Sequence, residues 1–580
     1  MLAIAIAVKL AQLCTKSIRS ESLTLKLRGS WLSLLVVAVA VAAAALTACS
    51  DSDDDGNGGT TDGGDGLAAD QTLRIRLIGE PTTLDPQLAA FTPDVGVVKQ
   101  LWRGLFYYGD VDLGIVPAAA AEIPTTENGG ISEDGLTYTI KLRDDLTWSD
   151  GQALTAEDFE YSLKRLFDPA AGGGGYYYTY YTDIIGGQEA VDGGSLDEVN
   201  VNAVDATTLE IKLSRPRATL LTLLALWPAY PVRADVVSTG GSWTEAGTLV
   251  GNGPYVLSEW AHDDHITLTA NENYWGDDQP TLETIVFRIQ PNEGAALIAY
   301  DNGELDMTPI PLTDAARFAD SPEQIQYAQL ATLGMQFNVT RAPFDNVDVR
   351  RAFTAAIDRD TFVNNVRGGV GQATTSWLPP GIPGYDADRG KDYAFDADQA
   401  KQFLEDAGFP GGEGLPDVTL TVGDSQSEAL SSQFVQEQVK RNLGVDIEIE
   451  ALEGATFQDR FLSSDFQVTL GGWGADYADA ENWLPSLWGT EASNNISLYS
   501  NAQFDDLMEQ AAEELDPEKR ADLYRQGEAI LIDEDVAFGP IYHNVKNWLA
   551  KPWVDGIAFT EADSETPGDW FFTRVSIKEH

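Results

Sequence analysis

Cysteine is nearly absent from this 580-residue chain. There are two, Cys14 and Cys49, and both precede the part patterned like a folded protein. No disulfide can staple that part, and a thiol nucleophile or thiolate-held metal there is excluded. Histidine is almost as scarce, with His262, His265, His543 and His580. His262-Asp-Asp-His265 has the look of a metal pair, but no third ligand lies nearby. It falls between an apparent strand and a loop and reads as a solvated turn. No Gly-x-Ser-x-Gly elbow and no Gly-rich phosphate loop ending in Lys occurs. Carboxylate pairs of the glycosidase kind carry no signal, because 91 acidic residues guarantee that some pair exists. The expectation is a protein that is not an enzyme and has no metal and no cofactor.

Positive charge is scarce too. Asp and Glu outnumber Lys and Arg 91 to 37, a formal net charge of −54, and only 14 of the basic residues are Lys. Nucleic acid and anionic membrane both need clustered cations, so neither is a partner. An acidic, Lys-poor surface resembles that of salt-adapted proteins. Unscreened carboxylates repel one another, so the melting temperature is expected to rise from low to molar salt. A flat melting temperature across that range would remove salt adaptation as the explanation.

What is present begins with an address. Trp31 to Leu46 reads WLSLLVVAVAVAAAAL, preceded by Lys26 and Arg28. A positive flank, a short apolar stretch and small residues make an export signal. The apolar run falls short of the ~20 residues that span a bilayer. Residues 1–30 are long for the leading part of such a signal. Leu46-Thr47-Ala48-Cys49 resembles the bacterial lipobox, which implies cleavage after residue 48 and a lipid anchor on Cys49. Residues 49–66 are Asp/Gly-rich with nothing to bury, and read as a tether. Asp51, Asp53, Asp55, Gly56 and Asp62 nearly match a calcium loop, but flanking helices and the terminal Glu are missing.

From Gln71 onward, strand and helix patterns alternate, which indicates an α/β chain. Gln71 to Leu77 and Leu136 to Leu142 alternate polar and apolar residues as half-buried strands do. Asp94 to Phe106 has one apolar face, as a helix would. Thr155 and Asp158 form a capping box ahead of a Phe159, Leu163, Leu166 stripe. Glu428 to Leu443 reads as a helix followed by a strand from Val445. Asp516-Pro517 starts a helix running to about Asp533.

Six motifs then occur in order: Leu84-Asp85-Pro86; Trp148-Ser149-Asp150-Gly151 with Leu154-Thr155-Ala156-Glu157-Asp158-Phe159; Gly251-Asn252-Gly253-Pro254-Tyr255 with Glu259-Trp260 and Asn271-Glu272-Asn273-Tyr274-Trp275; Ala342-Pro343-Phe344 with Val349-Arg350-Arg351-Ala352-Phe353; Gly472-Trp473-Gly474-Ala475-Asp476-Tyr477; and Lys551-Pro552-Trp553-Val554. Together they resemble the extracytoplasmic solute-binding proteins of the peptide/nickel class, family 5, most of all the oligopeptide-binding branch. Trp148, Tyr255, Trp260 and Trp275 read as scaffold, and Gly251 and Gly253 as tight turns before Pro254.

The resemblance implies a class II periplasmic-binding-protein fold (cluster C): two lobes, a hinge and an extra inserted domain. Domain I would be 67–102, 233–331 and 547–580, domain II 103–232, and domain III 332–546. It implies a monomer that binds oligopeptides between domains I and III and delivers them to an ABC permease. Asp476 would pair with the peptide's α-ammonium, and Trp473 would wall the adjacent pocket. The backbones of Trp473, Gly474 and Ala475, and of Ala90, Phe91 and Thr92, would hold the peptide main chain. The same fold also serves dipeptides, nickel chelates, glycans and opines. A hydrolase, or a signalling receptor without its own permease, are further alternatives.

Overall fold

The computed structural model describes residues 66–109, 113–171, 177–563 and 566–580. The export signal, both cysteines, the calcium-like segment and all of the tether except Gly66 lie outside the described residues. Among those described, no helix is long and apolar enough to cross a membrane.

The alternating segment after Asp70 forms the strand Thr72–Leu77, with Leu73 and Ile75 fully buried. It pairs in parallel with Thr284–Ile289 on one side and Met307–Pro309 on the other. These belong to a large mixed sheet. Its spatial order is Ile447–Leu452, Val418–Gly423, Val468–Gly474, Gln324–Phe337, Phe538–Ala550, Met307–Pro309, Thr72–Leu77, Thr284–Ile289, His265–Ala270 and Tyr255–Ala261. Two unusually long strands join its halves. Gln324–Phe337 and Phe538–Ala550 have 14 and 13 residues and run antiparallel to each other. At one end Phe538–Ala550 meets Met307–Pro309; at the other, Gln324–Phe337 meets Val468–Gly474.

A separate three-stranded sheet, Thr137–Lys141, Thr208–Lys212 and Val201–Asp205, carries the helix Ala156–Arg165. That helix starts as its sequence predicts: the Thr155 amide donates to Asp158 Oδ2 at 2.9 Å. Asp516 likewise caps Pro517–Glu528, accepting from the amides of Glu518 and Lys519. The chain then continues as a π-helical turn, Ala529–Glu534, in place of the single long helix expected.

The first helix also differs from its expected bounds. The first helix is Thr92–Leu101, not 94–106. Gly253 N donates to Leu101 O, and Asn252 bridges the main chain of Arg103, so the docked 251–253 segment closes the helix. Phe106 belongs to the next strand, Phe106–Tyr108. Neither Gly251 nor Gly253 has a positive φ; what each glycine supplies is space. A Cβ on Gly251 would lie 2.1 Å from Leu101 O, and one on Gly253 2.6 Å from Gln100 O. The absence of a side chain permits that close approach.

Trp148 and Tyr255 are fully buried and Trp275 nearly so. Trp260 and His262 both bond Glu80: the indole donates at 2.9 Å, and His262 Nδ1 lies 2.7 Å from the carboxylate. His262 and His265 flank the turn of the hairpin Tyr255–Ala261/His265–Ala270.

His543 lies on Phe538–Ala550, 3% exposed, with Nδ1 2.9 Å from Thr332 Oγ1. Burial pushes its pKa from 6.5 down to about 4. The folded state therefore holds the neutral ring, and the unfolded chain binds the proton more tightly. This contribution to stability is complete above about pH 6.5 and is lost as the pH falls to about 4. Urea unfolding should show wild type losing about 3 kcal/mol across that window relative to His543→Asn. Parallel pH profiles for the two proteins would show that His543 is not held neutral by the fold.

Candidate functional site

The strand Val468–Gly474 ends in the Gly-Trp-Gly-Ala-Asp motif. Gly474 pairs with Ala331 and Trp473 with Thr332, and Ala475 N donates to Leu330 O at 2.8 Å. Gly472 is forced by this pairing, since a Cβ there would sit 1.9 Å from Thr332 O. On the strand's other side, pairing with Val418–Gly423 covers Val468 and Thr469. From Leu470 to Gly474, no described strand occupies that edge. Its main-chain groups are placed to accept an added extended segment.

Beyond the strand, Asp476 turns its carboxylate toward Tyr180, whose hydroxyl donates to Oδ2 at 2.5 Å. Asn482 ties the turn together. Its Oδ1 accepts from the Asp476 amide at 2.8 Å and from Trp473 Nε1 at 2.9 Å, while its Nδ2 donates to Asp476 Oδ2 at 3.3 Å. Asp476 is half-buried, short of the full burial that its expected role suggests, while Asn482 is fully buried.

A cavity of about 170 Å³ opens beside this turn. Gly474, Ala475 and Asp476 form one part of its wall, and Ala90 and Thr92 another. Tyr177 and Trp227 come from the segment carrying the three-stranded sheet; Trp227 Nε1 donates to Ala89 O at 2.8 Å. Glu561, Ala562 and Asp563 come from the C-terminal loop. Lys99 and Trp570 add a buried cationic corner. Lys99 Nζ lies 3.1 Å from Asp569 Oδ1 and 4.0 Å from the Trp570 ring centroid. Asp563 is buried beside this pair, so burial first and the Asp569 charge second raise its pKa well above the usual carboxylate range.

The loop before Thr92–Leu101 is fixed by Asp94. That buried carboxylate accepts from Thr82 N and Oγ1 and from the amides of Ala90 and Phe91. Of the seven positions singled out in the sequence, the cavity brings together Ala90, Thr92, Gly474, Ala475 and Asp476. Phe91 is 61% exposed and does not line it. Neither does Trp473, whose indole packs against the cluster around Trp377 and Trp483 and holds Asn482.

Beneath the turn lies a buried ion network. Arg217 bonds Asp183 at 2.8 Å and Glu481 at 3.0 Å, and Thr219 Oγ1 donates to Glu481 at 2.5 Å. Burial works to raise the Glu481 pKa, but the Arg217 charge and the Thr219 hydroxyl outweigh it and hold it low. Arg520 grips Asp479 in a bidentate pair at 2.6 and 2.7 Å.

The model of the bacterial extracellular solute-binding proteins, family 5 (middle), matches residues 114–495. The chain belongs to this family. Among curated relatives, it is 32% identical over 520 residues to the oligopeptide-binding protein OppA of Bacillus subtilis, covering 86% of this chain and 93% of that one. Solved structures of similar architecture include the Escherichia coli murein tripeptide binding protein MppA, at TM-score 0.74 and 29% identity, covering 89% of this chain and all of that one. Haemophilus influenzae OppA in complex with RPPGFSPFR aligns at TM-score 0.72 and 26% identity, covering 88% of this chain and all of that one. The fold is thus the mixed α/β, class II binding-protein architecture of family 5.

Tyr177, Tyr180 and Asn482 were not singled out by sequence reasoning. The tyrosine-rich stretch after the glycine run was a usable signal for the first two. Nothing in the sequence marks Asn482, because its role depends on a turn that exists only when folded. Glu561, Asp563 and Lys99 reach the cavity from the two ends of the described chain.

Proposed function

We propose that this family 5 protein captures oligopeptides in the cavity beside Asp476 and delivers them to the permease of an ABC importer. The observation that carries the reading is the meeting, in one cavity, of Asp476 with Gly474, the last residue of a strand whose outer edge no described strand pairs from Leu470 onward. An extended peptide can add along such an edge through main-chain bonds that ignore side-chain identity. Its α-ammonium, present in every free peptide, would meet the Asp476 carboxylate. The names of the relatives, an oligopeptide-binding and a murein tripeptide-binding protein among them, agree with this substrate class.

Domain I would comprise 67–102, 233–331 and 547–580, domain II 103–232, and domain III 332–546. The boundaries at 331 and 546 fall inside the two long strands Gln324–Phe337 and Phe538–Ala550, which would serve as the hinge. Ligand contacts made only in the closed form would drive closure, and the permease would read that form. The protein would act as an exported monomer, tethered through residues 49–66 by a lipid on Cys49. It would run no chemistry of its own on the bound peptide.

Native mass spectrometry of the protein lacking its first 49 residues, with released ligand fragmented, tests this reading. Co-purified peptides of mixed sequence and narrow length are expected. An empty protein that ignores a peptide library but takes up a sugar or a metal chelate would keep the fold and overturn the substrate.

A further inference from the structure

The cavity holds a carboxylate that nothing in the described structure neutralises. Glu561 lines it, is half-buried, and its side chain has no hydrogen-bond or ion-pair partner among the described residues. Its main chain is firmly placed. Glu561 O accepts from Leu330 N at 3.1 Å, and Leu330 O accepts from Ala475 N at 2.8 Å. Glu561 is therefore set across one strand from the residue that precedes Asp476. Lys99, the one cation among the lining residues described, is already paired with Asp569. One ammonium on the ligand can answer Asp476, which leaves Glu561 lining the same cavity without a cation.

We propose that Glu561 is a specificity residue that selects peptides carrying a basic side chain within their first three residues. The inference rests on the peptide reading above and adds a substrate class to it. Burial already raises the Glu561 pKa, the direction expected of a carboxylate kept from water without a cation beside it. A lysine or arginine head group would supply that cation through a charge-assisted bond, and a neutral chain of similar length would not. The test is a difference between ligands on one protein, so it does not depend on any variant folding.

Calorimetric titration should compare alanine pentapeptides with lysine or norleucine at position one, two or three. At one of these positions lysine should bind about tenfold tighter than norleucine, the size of one charged hydrogen bond. Glu561→Gln should reduce that preference to roughly twofold or less, read as the ratio of lysine to norleucine affinity on the variant itself. Pentaalanine binding with no lysine preference at any position would overturn this inference alone, as would a preference that survives in Glu561→Gln. Failure of every peptide to bind, pentaalanine included, would overturn the peptide reading and this inference with it.

Discussion

Replacing Asp476 with Asn should weaken peptide binding by about 3 kcal/mol, roughly a hundredfold, while the protein stays folded. Asn preserves shape and can still accept from Tyr180 and bond Asn482, the two groups that hold Asp476 Oδ2 at 2.5 and 3.3 Å. What it removes is the charge. In a site closed from water, a lone ammonium opposite a neutral amide carries most of its desolvation cost uncompensated. A double cycle isolates the pair. Acetylating the peptide amino terminus should cost wild type about the same factor as the substitution, and should cost Asp476→Asn little further. If acetylated and free peptides bind wild type equally, Asp476 does not read the amino terminus. The ligand would then be held by the strand edge alone.

That experiment bears on the residue most legible in the sequence. Gly472-Trp473-Gly474-Ala475-Asp476 could be singled out because it resembles a motif of the peptide-binding family and its residues are contiguous in the chain. The glycine at 472 follows from a 1.9 Å conflict that any Cβ would create with the facing strand. Helix starts were legible for the same local reason: Thr155 with Asp158, and Asp516 with Pro517, satisfy amides one turn away. The end of the first helix was not. Its apolar face runs on into Leu105 and Phe106, and the segment that stops it, Asn252-Gly253, lies about 150 residues further along the chain. The cavity divides the same way. Asp476 announces itself; Glu561 and Lys99 become site residues only when distant ends of the chain meet. With 91 acidic residues, no single Glu could be picked out beforehand. The long paired strands Gln324–Phe337 and Phe538–Ala550 were likewise illegible, since strand partners over 200 residues apart leave no local period to read.

The other large effect should come from beneath the site. Arg520→Met should cost about 3–5 kcal/mol of stability, seen as a clear drop in melting temperature and urea midpoint. Arg520 is 8% exposed and Asp479 7%. The guanidinium gives two bonds to Asp479, at 2.6 and 2.7 Å, and others to Tyr524 Oη and Ala511 O. Methionine fills similar volume but leaves a buried carboxylate without its cation, and that stranded charge dominates the loss. Asp479→Leu in the Arg520→Met background should therefore recover much of the stability. The recovery separates the cost of an orphaned charge from the worth of the pair. It should not restore ligand binding in full. Asp479 Oδ1 also accepts from the Glu481 amide at 2.8 Å, the first turn of the 3-10 segment Ala480–Asn482 that carries Asn482 to the Asp476 amide. A leucine at 479 cannot make that cap. The double variant is thus expected to be stable yet to bind peptide more weakly, with the loss in affinity arising from a misplaced Asp476. A double variant that regains both stability and wild-type affinity would show that the ion network supports the fold without setting the geometry of the turn.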